Sequence, residues 1–491
     1  MNPPTELRRK AISGVLWSAI ERFSQQAVSF IIQLILARLL APEEFGLIAM
    51  VAVFIAISGV LIDAGFSRAL IQRKQVSDSD LSTVFYFNLA VSILMAGAMY
   101  IIAPSIAGFY SQNELTDILR FLSVGLVLSA FGTVHRSILE RKLQFKKTLW
   151  VSFPSTIISG GVGLLLAFQG YGVWALVAQT LVAQCIRSVF LWFQTGWRPT
   201  LTFDLTALKE MFPYGSKLAL AAFLDQGFQN IYILVIGRVF SPVEVGLFQR
   251  ARSLQKFPVD NVHGILARVT FPLFSSIQDD TIRLKRVMRK AIQVFSLAIF
   301  PSMALLAVAA EPIVFILIGE KWLPCVSYLQ WLCVVGALYP LHAMNVNLLM
   351  AMGRSDLFLR LEIIKKTLLV VNVAITYRFG VQVMIYGMIV GSFLSLIINT
   401  FYTNKIVSYG LLEQIKDLRS VLVLSVLVFA VGSILSSMLE LPSFALLCVL
   451  LLSSAVICVG ALHFFDASLK QEISLAVERL PLGRLIARTL L

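Results

Sequence analysis

The sequence predicts an all-α polytopic membrane protein with about fourteen transmembrane helices, arranged as two six-helix lobes in parallel repeat plus a C-terminal helix pair. Three observations predict it. The composition is too apolar for a soluble surface: of 491 residues 58% are hydrophobic, 14% are charged, and the mean hydropathy is +0.83, against about 25% charged in an ordinary soluble domain. Apolar windows of about 20 residues, the length of one spanning helix, succeed one another with only short loops between them. The sequence also repeats itself at an offset of 200 residues.

Bounded by Gly, Pro or charges, the windows of the first half lie at 12–37, 46–67, 82–104, 117–138, 148–168 and 172–194. Those of the second half lie at 214–237, 245–272, 291–310, 326–350, 360–378 and 381–403. A last pair follows at 420–438 and 442–463. The eighth window is unusually polar, and Lys365 and Lys366 shorten the eleventh. The implied organisation is a first lobe over 1–205, a second over 206–408, the helix pair over 409–465 and a tail over 466–491. In the tail Leu469, Ile473, Val477 and Leu480 recur at helical spacing beside Lys470, Arg479, Arg484 and Arg488, which predicts an amphipathic helix on the cytoplasmic leaflet. At the other end Arg8, Arg9 and Lys10 precede an apolar stretch, but Glu21 and Arg22 follow it and no small-residue cleavage site does. The stretch therefore reads as a retained first span rather than a signal peptide.

The charges choose an orientation. Of 41 Lys and Arg residues, 29 fall in cytoplasmic segments if both termini are cytoplasmic, and five fall outside: Arg38, Arg120, Arg238, Lys321 and Arg378. Basic clusters such as Arg68/Arg73/Lys74 and Arg141/Lys142/Lys146/Lys147 recur at alternate loops, as the positive-inside rule requires of an even number of spans. The net charge of +14 is thereby assigned to loops facing the cytoplasm rather than to a nucleic-acid surface. Five cysteines, an odd number lying mostly in apolar runs, give neither a disulfide framework nor a CxxC metal site.

The repeat is clearest over 19–47 against 219–247, where ten of 29 positions are identical. ARLLAPEEFGL (37–47) faces GRVFSPVEVGL (237–247), each a helix ending near Arg, a Pro turn and a new helix entered through Gly. Six spans per repeat unit give both halves the same orientation. Transporters built on internal repeats place their site near the midplane at the repeat interface.

Polar residues within spans point to that site, because a charge inside the bilayer costs at least ~2.5 kcal/mol and faces protein or water. The first span carries Ser18, Arg22, Gln25, Ser29 and Gln33 in one sector, flanked by Glu21 and Gln26. The seventh carries Asp225, Gln226, Gln229 and Asn230, so positions 25, 26 and 29 are polar in both repeats. On the eighth, Gln249, Ser253, Lys256, Asp260 and His263 form one stripe, with Arg252 at its edge, Arg250 a quarter-turn away and Pro258 expected to bend the helix. Arg22, Arg250, Arg252 and Lys256 are the candidate anion-binding set, since guanidinium forks suit phosphate. Asp225, Glu21, Asp260 and His263 are the candidate groups for a coupling cation or proton. The same charges also fit ion pairs inside the membrane, Glu21 with Arg22 or Lys256 with Asp260. Arg187 is expected to snorkel toward the cytoplasmic interface.

Several chemistries lack their motifs. There is no G-x-x-x-x-G-K-[ST] phosphate loop, no H-E-x-x-H and no G-x-S-x-G, and the four histidines are isolated. No catalytic residue, resident cofactor or metal site is therefore predicted.

LARLLAPEEFGLIAM (36–50), DAGFSRALIQRK (63–74), GLFQRARSLQKFPVDNVHGILARVTFPLFSSIQDD (246–280), GEKW (319–322) and GRSDLFLRLEIIKK (353–366) resemble the bacterial polysaccharide exporters. The resemblance is to the Wzx-type oligosaccharide flippases, colanic-acid-exporter-like, of the multidrug/oligosaccharidyl-lipid/polysaccharide exporter superfamily, and covers about residues 8–465. It implies a V-shaped pair of six-helix lobes around a central cavity. It implies, too, the flipping of an undecaprenyl-pyrophosphate-linked oligosaccharide across the bacterial inner membrane, with basic cavity residues on the first, second, seventh and eighth spans meeting the pyrophosphate. The second span here has no mid-membrane Arg. Residues 420–463 would form a groove for the lipid tail, and the implied partners are lipid-linked oligosaccharide, membrane lipid, and the polymerase and glycosyltransferases of the same pathway. Two relatives share the architecture: peptidoglycan-precursor flippases, which meet the same pyrophosphate, and cation-coupled multidrug antiporters, which want an acidic, aromatic cavity. A membrane polymerase or ligase would instead carry a substantial outer loop with clustered Arg and His, whereas the outer loops here are short.

Overall fold

The structure, a computed structural model, describes Trp17, Glu21 and residues 24–461, apart from the side chains of residues 263, 265, 267–269 and 461. Every regular element among the described residues is helical. In chain order they are α1 (24–39), α2 (Pro42–Asp63), α3 (Phe66–Gln72), α4 (Asp78–Tyr110), α5 (Leu115–Arg141), α6 (Phe145–Phe168), α7 (Val173–Thr195), α8 (Leu205–Gln229) and α9 (Ile231–Val239). There follow α10 (Pro242–Ser276), α11 (Thr281–Val308), α12 (Ala310–Ile318), α13 (Cys325–Ala337), α14 (Tyr339–Ala351), α15 (Ser355–Thr376), α16 (Val381–Val407), α17 (Leu411–Asp417), α18 (Arg419–Met438) and α19 (Ser443–Ala461).

Ten of these stretches are long and apolar enough to cross a membrane, with α13 and α14 counted together, and α8 with α9 makes an eleventh if the bent pair is one span. The protein is thus a multi-pass membrane protein. The remaining expected windows fall on α1, α10 and α15. The first is only partly described, and the other two are long helices richer in polar and charged residues than those ten. The expected amphipathic helix of 466–491 lies outside the described residues.

Two expected spans contain an interruption. The seventh is not one straight helix: α8 and α9 meet at Asn230 with a 43° bend. Asn230 departs from helical geometry (φ −103°, ψ 4°), and its Nδ2 donates at 2.8 Å to the Gln226 carbonyl, which also accepts the Asn230 backbone amide at 3.2 Å. The tenth breaks at Leu338, just before Pro340, whose ring removes a donor and fits only the first turn of a new helix.

The chain packs as two compact units, Met1–Gly246 and Leu247–Leu491. The packing boundary lies beyond the 205/206 repeat boundary because α8 and α9 pack on α2, α3 and α4. In unit 1, Phe66, Leu70, Val84, Phe85, Val134 and Met211 bury one another where α3, α4, α5 and α8 converge. Small residues bring helices close, as in membrane packing generally. A Cβ on Gly160 of α6 would lie 2.2 Å from Ile32 Cδ1 of α1, and one on Gly132 of α5 would lie 2.9 Å from Leu191 of α7. The Ser188 hydroxyl and Trp192 indole of α7 donate to the Leu128 and Phe131 carbonyls of α5, at 2.6 and 2.8 Å.

The 63–74 motif is a tight corner. Ala64 and Gly65 both adopt positive φ, 44° and 75°, and Gly65 abuts the Gly215 carbonyl of α8. Arg141 at the end of α5 then donates to the carbonyls of Leu70, Arg73 and Lys74, closing the exposed C-terminus of α3. In unit 2 the main core joins Phe274, Met288, Ile292, Met344, Leu348 and Leu424, from α10, α11, α14 and α18. There α18 packs on α11, and α19 packs on α18 and α12.

Candidate functional site: the polar face of α10

α10 remains one helix through Pro258 and Pro272, and its two faces differ sharply. Ala251, Leu254, Gln255 and Val259 are buried. Gln255 packs against α13, where a Cβ on Gly336 would meet its Nε2 at 2.1 Å. Gln249, Ser253, Lys256 and Asp260, on the opposite side, are exposed from unit 2. The 3.6-residue period explains this: spacings of four, three and four return to the same azimuth, whereas the buried positions fall half a turn away. Arg252, half-buried at the edge of the stripe, and Asp260 both lie within electrostatic range of Lys256. The polar face therefore carries two cations and one acid side by side, which suits an anion with more than one charge.

Arg250 has an aromatic contact of its own. Its guanidinium carbon lies 5.1 Å from the centroid of the Trp322 ring, a cation–π contact, and Trp322 is fully buried. The GEKW motif sets this up. Gly319, at φ 95°, ends α12 with a backbone that favours glycine, and Glu320–Trp322 then make a 3-10 turn that delivers the indole to α10.

In unit 1, Glu21 accepts a hydrogen bond from Ser152 Oγ of α6 at 3.2 Å. Arg187 of α7 has charged neighbours inside unit 1. It is half-buried, its Nε has no hydrogen-bond partner, and it lies within electrostatic range of Glu21 and of Arg136, which is itself bridged to Glu140 at 2.7 Å. Asp225 accepts from Gln229 Nε2 at 2.6 Å, one turn before the α8–α9 bend. Arg22, and the side chain of His263, lie outside the described residues. Sequence reasoning missed Trp322 and Ser152 as partners. They are separated from Arg250 and Glu21 by 72 and 131 residues, and no spacing rule links them.

Unit 2 also holds an apolar cavity of about 410 Å³ among α11, α13 and α18, lined by Phe300, Met303, Trp331, Val334, Leu422 and Phe429. Among the described residues no group of three or more His, Cys, Asp or Glu is placed to hold a metal ion.

The family model "Polysaccharide biosynthesis protein" matches residues 35–327, more than half of the chain, from α1 through α10 to the GEKW turn. The chain belongs to the polysaccharide biosynthesis protein family. This family member is similar to the lipopolysaccharide biosynthesis protein WzxC of Escherichia coli (strain K12), with 28% identity over 80% of each chain. It is also similar to the teichuronic acid biosynthesis protein TuaB of Bacillus subtilis (strain 168), at 26% identity over 72% of this chain and 73% of that one. Another relative is the succinoglycan biosynthesis transport protein ExoT of Rhizobium meliloti (strain 1021), at 28% identity over 65% of each. Among solved structures the fold is similar to the lipid II flippase MurJ in an inward closed conformation, with a TM-score of 0.71, 14% identity, and 91% of this chain and 98% of that one covered. An inward-facing MATE multidrug transporter of the MOP superfamily matches with a TM-score of 0.63 at 17% identity, over 78% and 94%.

Proposed function

We propose that this protein is a flippase that carries an undecaprenyl-pyrophosphate-linked oligosaccharide repeat unit across the bacterial inner membrane, by alternating access, for surface polysaccharide biosynthesis. It acts as a transporter rather than an enzyme, with both termini cytoplasmic and fourteen spans. The observation that carries the reading is the exposed stripe of α10. Lys256 is exposed and Arg252 half-buried on the polar face of a long helix in a chain of membrane-spanning helices. A cation within a spanning helix costs free energy unless water, an acid or an anionic ligand meets it, and a diphosphate supplies two or more negative charges.

In this reading the lipid-linked headgroup pairs with Arg22, Arg250, Arg252 and Lys256, with Arg250 held against Trp322. The apolar cavity beside α18 takes part of the polyprenyl tail. Asp225, with Glu21, Asp260 and His263 as further candidates, holds the coupling cation or proton. The partners are the lipid-linked oligosaccharide, membrane lipid, and the polymerase and glycosyltransferases that make and consume it. A multidrug antiporter is disfavoured by the stripe's sign, two cations to one acid.

The test is translocation in proteoliposomes of polyprenyl-diphosphate-linked oligosaccharide against the monophosphate-linked analogue, a peptidoglycan lipid precursor and a cationic drug. Preferred transport of the diphosphate-linked oligosaccharide is expected. Transport of the peptidoglycan precursor or the drug alone would overturn the reading.

A further inference from the structure

His342 lies in the first turn of α14, four residues after the Leu338 break and two after Pro340. Both its ring nitrogens are met by side chains of α16. Ser392 Oγ is 3.0 Å from Nε2, and Asn399 Nδ2 is 3.1 Å from Nδ1. An amide nitrogen only donates, so Nδ1 here is the lone-pair nitrogen and Nε2 carries the hydrogen. The imidazole is therefore neutral in this arrangement. Asn399 is fully buried, and its Oδ1 has no hydrogen-bond partner. An orphaned buried carbonyl oxygen is costly and calls for an explanation.

Turning the Asn399 amide over supplies one. Its Oδ1 would then face Nδ1 and accept from an Nδ1–H, while Nε2–H still donates to Ser392. A serine and an amide can each donate or accept, so this pair can hydrogen-bond the imidazole in either protonation state. That is the condition for a buried group to change charge without losing its bonds. His135 of α5 makes the contrast. Its ring stacks on Trp192 at 4.9 Å and meets Phe85 and Trp197 edge-on, and neither ring nitrogen meets a hydrogen-bonding side chain.

The charged groups facing His342 come from α15, where Lys365 is paired at 2.5 Å with Glu362. The facing groups of α16, Ser392 and Asn399, are neutral. α13 carries no charged residue, and the basic residues of α11 lie in its first ten positions, where Lys285 and Arg289 meet Glu413 and Asp417 of α17. From α10, Asp260 of the polar stripe lies within electrostatic range of Tyr339, one helical turn before His342. The histidine thus sits at a helix break, one turn from a residue that borders the candidate anion-binding face.

We propose that His342 is a proton-binding site of this transporter, taking a proton at Nδ1 as the Asn399 amide turns over, and that its charge biases the α13–α14 break between two arrangements. Nothing is oxidised or reduced: a proton from water adds to the Nδ1 lone pair and leaves the same way. The coupling role rests on the proposed transport function, and the proton site itself does not. A ligand shifts a two-state equilibrium only by binding the two states differently. A proton does so here, because the amide orientation that holds it differs from the one observed.

The test begins without substrate. Proton uptake by the full-length protein in nanodiscs is measured between about pH 8 and about pH 5, the range in which histidine titrates, for wild type and His342→Gln. Glutamine keeps hydrogen-bonding capacity and cannot take the charge. The variant is expected to bind about one proton fewer per chain. Asn399→Asp places a carboxylate at Nδ1 and is expected to move that proton's uptake about one to three pH units upward. Equal uptake by wild type and His342→Gln, or an Asn399→Asp profile that coincides with wild type, overturns the site. In proteoliposomes His342→Gln is expected to abolish acceleration of flipping by a pH gradient while downhill flipping persists, and an intact response overturns the coupling role. Wild type that binds the proton but flips no lipid-linked saccharide refutes the transport reading and leaves the site standing.

Discussion

Gly46 and Gly246, equivalent positions of the 200-residue repeat, stand against each other's proline carbonyls. A Cβ on Gly46 would lie 1.8 Å from the Pro242 carbonyl oxygen, and one on Gly246 would lie 1.9 Å from that of Pro42. Each such Cβ would also lie 3.1 or 3.2 Å from the other glycine's backbone nitrogen. The first turns of α2 and α10 therefore cross backbone to backbone, which only a residue without a side chain permits. This is why the P-x-E-x-G pattern recurs in register.

Alanine at either glycine should therefore be destabilising, by roughly 1–3 kcal/mol as for other overpacked sites, and the double variant should deviate from additivity because the two share one contact. Gly59→Ala is the control. Nothing lies within 4 Å of its Cβ position, and alanine favours a helix, so its stability should be unchanged or slightly higher. Thermal unfolding of the detergent-solubilised protein measures all four.

Asp204 predicts a pH dependence. It caps the start of α8 by accepting from the backbone amides of Thr206 and Ala207, at 2.8 and 3.2 Å. Those bonds, that from Ala207 foremost, hold its carboxyl below the usual carboxylate value. A depressed folded value means that the stabilisation is present above the ordinary range, about pH 4, and is lost as pH falls through the folded value. Asp204→Ala should melt below wild type at neutral pH, and the two should converge in acid. Asp204→Asn keeps a capping acceptor and should lie near wild type without that convergence.

The orientation is tested at helix ends. Ser111 closes α4 and Gly319 closes α12, whereas Ser77 caps α4 from its other end and Asp280 caps α11. Single cysteines at 111 and 319 should label with an impermeant thiol reagent from the periplasmic side, and those at 77 and 280 should not. Labelling at either of the latter refutes cytoplasmic termini with fourteen spans.

Asp225 offers a clean charge test. Its carboxylate accepts from Gln229, and an asparagine oxygen can accept the same bond. Asp225→Asn should therefore fold and melt as wild type does while losing the response of transport to an imposed ion gradient. A full response in liposomes removes Asp225 from the coupling machinery.

Local periodicity made much of this legible. The α10 stripe follows from spacings of four, three and four alone, and the repeat placed Gly46 and Gly246 in register without showing that they meet. The bend at Asn230 was hidden, because the polar residues that mark it, Asp225, Gln226 and Gln229, read equally well as a cavity face. Part of that polarity is engaged locally, where the Asn230 side chain joins its own backbone amide on the Gln226 carbonyl and Gln229 binds Asp225. Arg250 shows the other limit. The helical wheel puts it near the stripe and says nothing of its contact with Trp322, which a distant turn carries. His342 and its partners on α16 are 50 and 57 residues apart, each unremarkable alone, and no motif joins them.

The central claim is that Arg252 and Lys256 bind the diphosphate of the transported lipid. The direct measurement is flipping of polyprenyl-diphosphate-linked oligosaccharide in proteoliposomes by wild type, Arg252→Ala, Lys256→Ala and Arg252→Lys, each matched for amount and melting temperature. Each alanine variant should lose most activity, and Arg252→Lys should recover only part of it, because a point charge replaces a bidentate fork. Export at the wild-type rate by both alanine variants would contradict the account and leave the stripe a structural feature of α10.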